Sequence, residues 1–164
     1  MGNLTILNLT QHPATPEQRR EGVIDPPENV RAELVRLLTF KNRPDMEDIW
    51  LRAEWIAALA KLWAESLGNG ACAAMIGGAP YLMPILAHCL LVLGIEPLYA
   101  FTKREVKEEQ TEDGSVHKVA VFRHEGFIWA GAGTLSDKAP YADEDDIIRE
   151  AQRFAERIKE VLGL

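Results

Sequence analysis

Apolar residues recur along this chain with two different periods. Leu4-Thr5-Ile6-Leu7-Asn8-Leu9 is a short apolar run of strand length, closed by the polar turn Thr10-Gln11-His12-Pro13. Thr15-Pro16-Glu17-Gln18 then carries a helix start: a capping threonine, a proline at the first helical position and acidic or amide residues after it. Gly22 ends that short helix, and Val23-Ile24-Asp25 reads as a second strand. After Pro26-Pro27, Val30, Leu34, Leu37 and Leu38 mark one face of a helix over about 28–38. Asp45 caps a longer helix, to about Leu67, with Met46, Ile49, Trp50, Ala53, Ala57, Ala60 and Trp63 at spacings of three and four. Gly68-Asn69-Gly70 stops it.

The second half continues the alternation. The run 71–76 is a third strand that ends in Gly77-Gly78, and Pro80 is expected to open an apolar helix over 79–93. A fourth strand covers 96–101. Residues 103–110 and 116–123 flank Asp113-Gly114, a strong hairpin signal, and 127–129 extend the sheet. A small-residue and polar stretch, 131–141, precedes a last helix over 143–162. Its apolar face is Ile147, Ile148, Ala151, Phe154, Ile158, Val161 and Leu162, and acidic residues fill its first turn. Strands alternating with helices predict a Rossmann-like α/β three-layer sandwich. Its central sheet is mostly parallel, with a late antiparallel hairpin. We expect one domain over 1–164, with its core in about 4–129.

Composition narrows the function classes. The chain has 164 residues, 47% hydrophobic and 26% charged, which suits a globular core. A net charge of −7 argues against broad contact with duplex DNA, which rests on many cations, but permits a local basic pocket. Cys72 and Cys89 lie in apolar patterns without metal spacing and read as buried thiols of a reducing compartment. The run 4–9 is too short for a signal peptide's apolar region, and His88 and Gly94 interrupt the longest apolar stretch. We therefore expect a cytoplasmic protein with no membrane span. No dinucleotide fingerprint, P-loop, nucleophile elbow near Ser66 or Ser136, or metal-type cluster appears, and no cofactor is expected. Asp143 to Asp146 read as a helix start.

In an open parallel sheet, ligands bind beyond the carboxyl ends of the strands. The first strand end delivers Asn8, Thr10, Gln11 and His12. The third delivers Gly77, Gly78 and Tyr81, a turn that brings backbone N–H groups to a helix start and suits an anion. The fourth delivers Thr102, Lys103 and Arg104. A two-residue Asp113-Gly114 turn would pair Glu109 with Lys118, Arg104 with Arg123, and Lys103 with His124. Like charges would then meet at the hairpin base, where a bound anion would relieve their repulsion. His12 and His124 are the proton-transfer candidates at the site edges. His88 reads as packed on its helix and His117 as solvated.

The stretches Asn8-Leu9-Thr10-Gln11-His12, Ile76-Gly77-Gly78-Ala79-Pro80-Tyr81 and Leu98 to Glu105, with Asp113-Gly114-Ser115-Val116 and Val121-Phe122-Arg123-His124, follow one another in a telling order. Over about 4–129 the chain resembles the small stand-alone CRISPR-associated Rossmann-fold (CARF) proteins of the ring-nuclease type. The resemblance implies a homodimer that binds a cyclic oligoadenylate messenger across its interface. It also implies metal-independent cleavage by attack of a ribose 2′-hydroxyl on the adjacent phosphate. In that scheme Lys103 and Arg104 neutralise charge, Gly77 and Gly78 offer N–H groups, Asn8 or Thr10 orients the ribose, and His12 or His124 moves protons. The helices over 45–67 and 143–162 exceed what the compact members need. Trp50, Trp55 and Trp63 give the first of them more aromatic surface than one face can bury, a candidate dimer contact. The alternatives are a non-catalytic sensor of a nucleotide or other phosphorylated ligand, and an accessory interaction domain in antiviral defence.

Overall fold

A computed structural model describes residues 4–68, 73–130 and 143–163. The readings placed on Asn69, Gly70, Ala71, Cys72, Ser136 and the 131–141 stretch lie outside these residues. In chain order the elements are β1 (Ile6–Leu9), α1 (Pro16–Arg20), β2 (Val23–Ile24), α2 (Glu28–Leu38), α3 (Met46–Ser66), β3 (Ala73–Ile76), α4 (Met83–Val92), β4 (Glu96–Gln110), β5 (Val116–Trp129) and α5 (Glu144–Leu162). The sheet order is β2-β1-β3-β4-β5. The first four strands run parallel and β5 returns antiparallel to β4, so the fold is the mixed α/β sandwich expected. No helix among the described residues is long and apolar enough to cross a membrane.

Alternation along the strands sorts the core into two layers. Leu7, Leu9, Ala74 and Ile76 face α2, α3, α4 and α5 in the larger cluster. Ile6, Val23, Ala73, Met75 and Leu98 face the other way, with Ala14 just before α1. The three tryptophans of α3 are packed within the chain. Trp50 and Trp63 are buried. Trp55 stacks on Phe154 of α5 at 5.3 Å and donates its indole N–H to Glu150 at 3.2 Å. Helix α3 meets α2, α4, α5 and β1, so more than one of its faces is covered and its aromatic surplus needs no second copy.

Two local expectations are corrected. Helix α4 begins at Met83 rather than at Pro80, with Pro84 in its first turn. The residues before it form a turn closed by Leu82 N–H donating to the Ala79 carbonyl at 2.9 Å. The hairpin register also differs by one residue. Thr111 N–H donates to the Ser115 carbonyl and Gly114 N–H to the Thr111 carbonyl, both at 2.9 Å, so three residues form the loop. Gly114, at φ 83°, takes the left-handed position such a loop needs. Hydrogen bonds from the Ser115 and Thr111 side chains hold Asp113 in place and push its carboxyl down to about 2. Glu108 therefore faces Lys118, Lys103 faces Arg123, Arg104 faces Phe122, and Thr102 faces His124. A bulge at Glu125 separates that register from Phe101 opposite Gly126.

Candidate functional site

Strand order reverses between β1 and β3, because the chain goes from β1 outward to β2 and returns past β1 to β3. In open sheets that switch point leaves a crevice between the loops that leave in opposite directions. A cleft of about 640 Å3 lies there. One wall is Thr10 to Pro13, after β1, and the other is Gly77 to Ala79, after β3. Leu38, Met75, Ile76 and Ala100 give it an apolar floor. The walls stand close: a Cβ on Gly77 would sit 3.4 Å from the Thr10 methyl carbon. The parallel pairing of Leu9 with Ile76 directs the Gly77 N–H at the Leu9 carbonyl, so Gly77 closes the ladder, while the Gly78 N–H makes no hydrogen bond to the described residues.

The β1 loop is held from beneath. Asn8 is fully buried at the end of β1. Its Nδ2 donates to the His12 carbonyl at 2.8 Å and to Asp25 Oδ1 at 2.7 Å. Its Oδ1 accepts from Thr10 N–H at 3.0 Å and from Thr10 Oγ1–H at 2.7 Å. Every hydrogen-bonding position of that amide is used, so Asn8 shapes the loop from inside. Asp25, just past β2, completes the support. It accepts from Asn8, from Ala14 N–H at 2.9 Å and from the Arg19 guanidinium at 2.8 Å, with Arg31 at 3.7 Å. Burial alone would raise this carboxyl, but the hydrogen bonds from Asn8, Ala14 and Arg19 outweigh it and hold it below the usual carboxylate range.

Asp25→Ala leaves the Asn8 amide with an unmet donor and should cost about 2 kcal/mol in chemical denaturation. Because the carboxyl is depressed in the folded state, its electrostatic share of stability is complete above the ordinary value near 3.8. That share fades as the pH falls below it. The gap between wild type and variant should therefore narrow in acid. An unchanged gap from pH 7 to pH 3 would show that Asp25 acts by packing alone.

Five of the predicted site residues line the cleft: Thr10, Gln11, His12, Gly77 and Gly78. Four others stand on the β4–β5 ribbon beyond the sheet. Lys103 is about 10 Å along the strand from Ala100, exposed, with Nζ 3.7 Å from Glu125. Thr102, Arg104 and Arg123 are exposed on the same ribbon. His124 is buried against the Phe127 ring at 4.8 Å, with Nε2 3.4 Å from Glu21 past the end of α1, and it does not line the cleft. Tyr81 packs its ring edge on Phe40 at 5.2 Å.

Sequence reading missed Thr15, Gln18 and Tyr99, which complete the cleft lining. Thr15 and Gln18 form a capping box, with Gln18 N–H on Thr15 Oγ1 at 3.3 Å and Thr15 N–H on Gln18 Oε1 at 2.9 Å. In the sequence they are legible only as a helix start. Tyr99 lies within β4 and looks like a core residue. Burial raises its phenol, which stays protonated and can donate. Among the described residues no group of three His, Cys, Asp or Glu is placed to hold a metal ion.

Sheet order, crossover and cleft define a Rossmann-like α/β protein with a pre-formed crevice at its topological switch point. Residues 4–128 match the Uncharacterized protein MJ1673 family, and the chain belongs to that family. The match ends within β5, so it takes in both cleft walls and leaves out α5. No curated protein matches the chain, and no solved structure does.

Proposed function

We propose that the cleft between β1 and β3 binds a phosphodiester of a cyclic oligoadenylate, with two copies of the chain sharing one ring, and that it cleaves the ring. The observation that carries the reading is the Gly77-Gly78 turn, with the unpartnered N–H of Gly78, set across the cleft from the fixed Thr10–His12 wall. Backbone donors at a tight turn suit a phosphate oxygen. The 640 Å3 volume suits a nucleotide-sized group, and the apolar floor suits a base or ribose face. The order of motifs shared with CARF ring nucleases supports an adenylate ring over other phosphate esters.

In the cleavage step the ribose 2′-oxygen forms a bond to phosphorus and gives its proton to His12. The phosphorus–5′-oxygen bond breaks, the 5′-oxygen takes a proton from water, and the hydroxide so formed takes back the proton from His12, leaving a 2′,3′-cyclic phosphate. The Gly78 N–H would stabilise the charge that builds on the phosphoryl oxygens.

A second reading has its own support. Among the described residues no Lys or Arg lines the cleft, and His12 is the one lining side chain among them of a type that exchanges protons near neutral pH. Such a site can hold a messenger without turning it over. Incubation with cyclic tetra- and hexa-adenylate in EDTA separates the two. Linear products ending in a 2′,3′-cyclic phosphate support cleavage, and tight binding without product supports a sensor. No binding at either ring size rejects both.

A further inference from the structure

This acidic protein gathers positive charge in a pocket beside the cleft. The loop from α2 to α3 reads Lys41-Asn42-Arg43-Pro44, and a second cavity of about 610 Å3 opens there. Arg36, from the last turn of α2, and Arg52, from α3, also line it. The one carboxylate among the described residues of its lining, Asp48, is engaged by Arg52 Nε at 3.0 Å. Arg52 also donates to the Leu37 and Thr39 carbonyls at 3.2 and 2.8 Å and lies 4.4 Å over the Phe40 ring. It is a fixed strut that ties α3 to the end of α2. Lys41 and Arg43 are exposed and make no hydrogen bond or ion pair with the described residues. Two uncommitted cations in a concavity, in a chain of net charge −7, form a local field that attracts an anion.

This pocket abuts the cleft. Gln11 lines the cleft, Thr39 lines the cation pocket, and Gln11 Nε2 donates to Thr39 Oγ1 at 3.3 Å. Leu38, one residue before Thr39, belongs to the cleft floor. The cleft offers a backbone donor without charge at Gly78, and the neighbouring pocket offers charge. We propose that the α2–α3 pocket is an anion subsite for a second phosphate of the ligand whose first phosphate sits at Gly77 and Gly78. This rests on the reading of the cleft given above and deepens it: the ligand carries at least two phosphates, as a phosphodiester ring does and a mononucleotide does not.

The test titrates isotope-labelled protein with inorganic pyrophosphate, adenosine monophosphate and cyclic tetra-adenylate, and follows backbone amide resonances. Pyrophosphate should move the amides of Thr39 to Arg43 in wild type and leave them unmoved in the Lys41→Ala/Arg43→Ala protein. The same variant should bind cyclic tetra-adenylate about tenfold or more weakly, with a shallower salt dependence, and bind the monophosphate as wild type does. If pyrophosphate leaves those amides in place, or moves them equally in the variant, the subsite is wrong whatever the cleft binds. If pyrophosphate behaves as expected but neither adenylate moves Gly77 and Gly78, the cleft reading falls and the shared ligand falls with it.

Discussion

The His12→Ala protein should bind cyclic tetra-adenylate as wild type does and cleave it about 10^2 to 10^4 times more slowly, the usual loss when a general base is removed. His12 sits on the cleft wall, and Asn8 holds its backbone carbonyl at 2.8 Å, so removing the imidazole leaves the loop's support in place. The contrasting variants are Lys103→Ala and Arg104→Ala. Both cations stand on the ribbon outside the cleft of their own chain. In a dimer that shares one ring, they act only if they reach the partner's cleft. Mixing His12→Ala protein with Lys103→Ala protein then decides the geometry. Recovery of activity in the mixture means that one chain supplies the base and the other the cation. Equal rates for Lys103→Ala, Arg104→Ala and wild type would remove both cations from the chemistry. A His12→Ala protein with full activity would remove the proposed base.

The fold was legible where apolar period and caps agreed. Asp45 and Asp143 cap α3 and α5 at the expected places, each accepting at 2.8 Å from the N–H three residues on. The switch-point walls were legible too, because strand ends that deliver Thr10 to His12 and Gly77-Gly78 follow directly from strand length. The cations were not. The sequence pattern places a break between 101 and 103, whereas β4 runs unbroken through Gln110 and carries Lys103 and Arg104 past the sheet. Asp-Gly alone suggested a two-residue turn. The Thr111, Asp113 and Ser115 side chains close a three-residue loop instead, and one residue of register changes every pairing on the ribbon. Asn8 looked like a ligand group because a polar residue at a strand end usually faces solvent. Its burial depends on Asp25, which is distant in sequence and becomes its neighbour only when β2 pairs with β1. The cation pocket escaped for the same reason: Lys41 and Arg43 read as an ordinary loop until Gln11 and Thr39 meet.

The stability of the chain should fall as the pH rises, through one carboxyl in the helical layer. Glu54 of α3 is buried, and the helix that covers it, α5, brings Glu150 and Asp146 towards it. Burial, and then the charges of Glu150 and Asp146, raise its carboxyl from 4.5 to about 7. The acidic first turn that suits the α5 dipole thus opposes a charge on α3. A carboxyl with a raised folded value binds its proton more tightly in the folded state, so stability is greatest below about 4.5 as far as Glu54 is concerned. It is lost as the pH rises from there through about 7, and the loss is complete above that. At 1.36 kcal/mol per pH unit, the cost at pH 8 is about 3 kcal/mol. Glu54→Gln keeps the shape and removes the charge. It should gain about 2 to 3 kcal/mol at pH 8, roughly 5 to 10 °C in Tm for a chain of this length, and gain little at pH 5. Cys89 lies in the same layer, and burial and Glu54 both raise its thiol, so it stays protonated and unreactive across this range. Thermal unfolding of both proteins from pH 5 to pH 8 is the measurement. Superimposed curves at pH 8 would mean that water or a local opening solvates Glu54 in the folded chain, and that the contact between α3 and α5 is looser than the stacked Trp55 and Phe154 rings indicate.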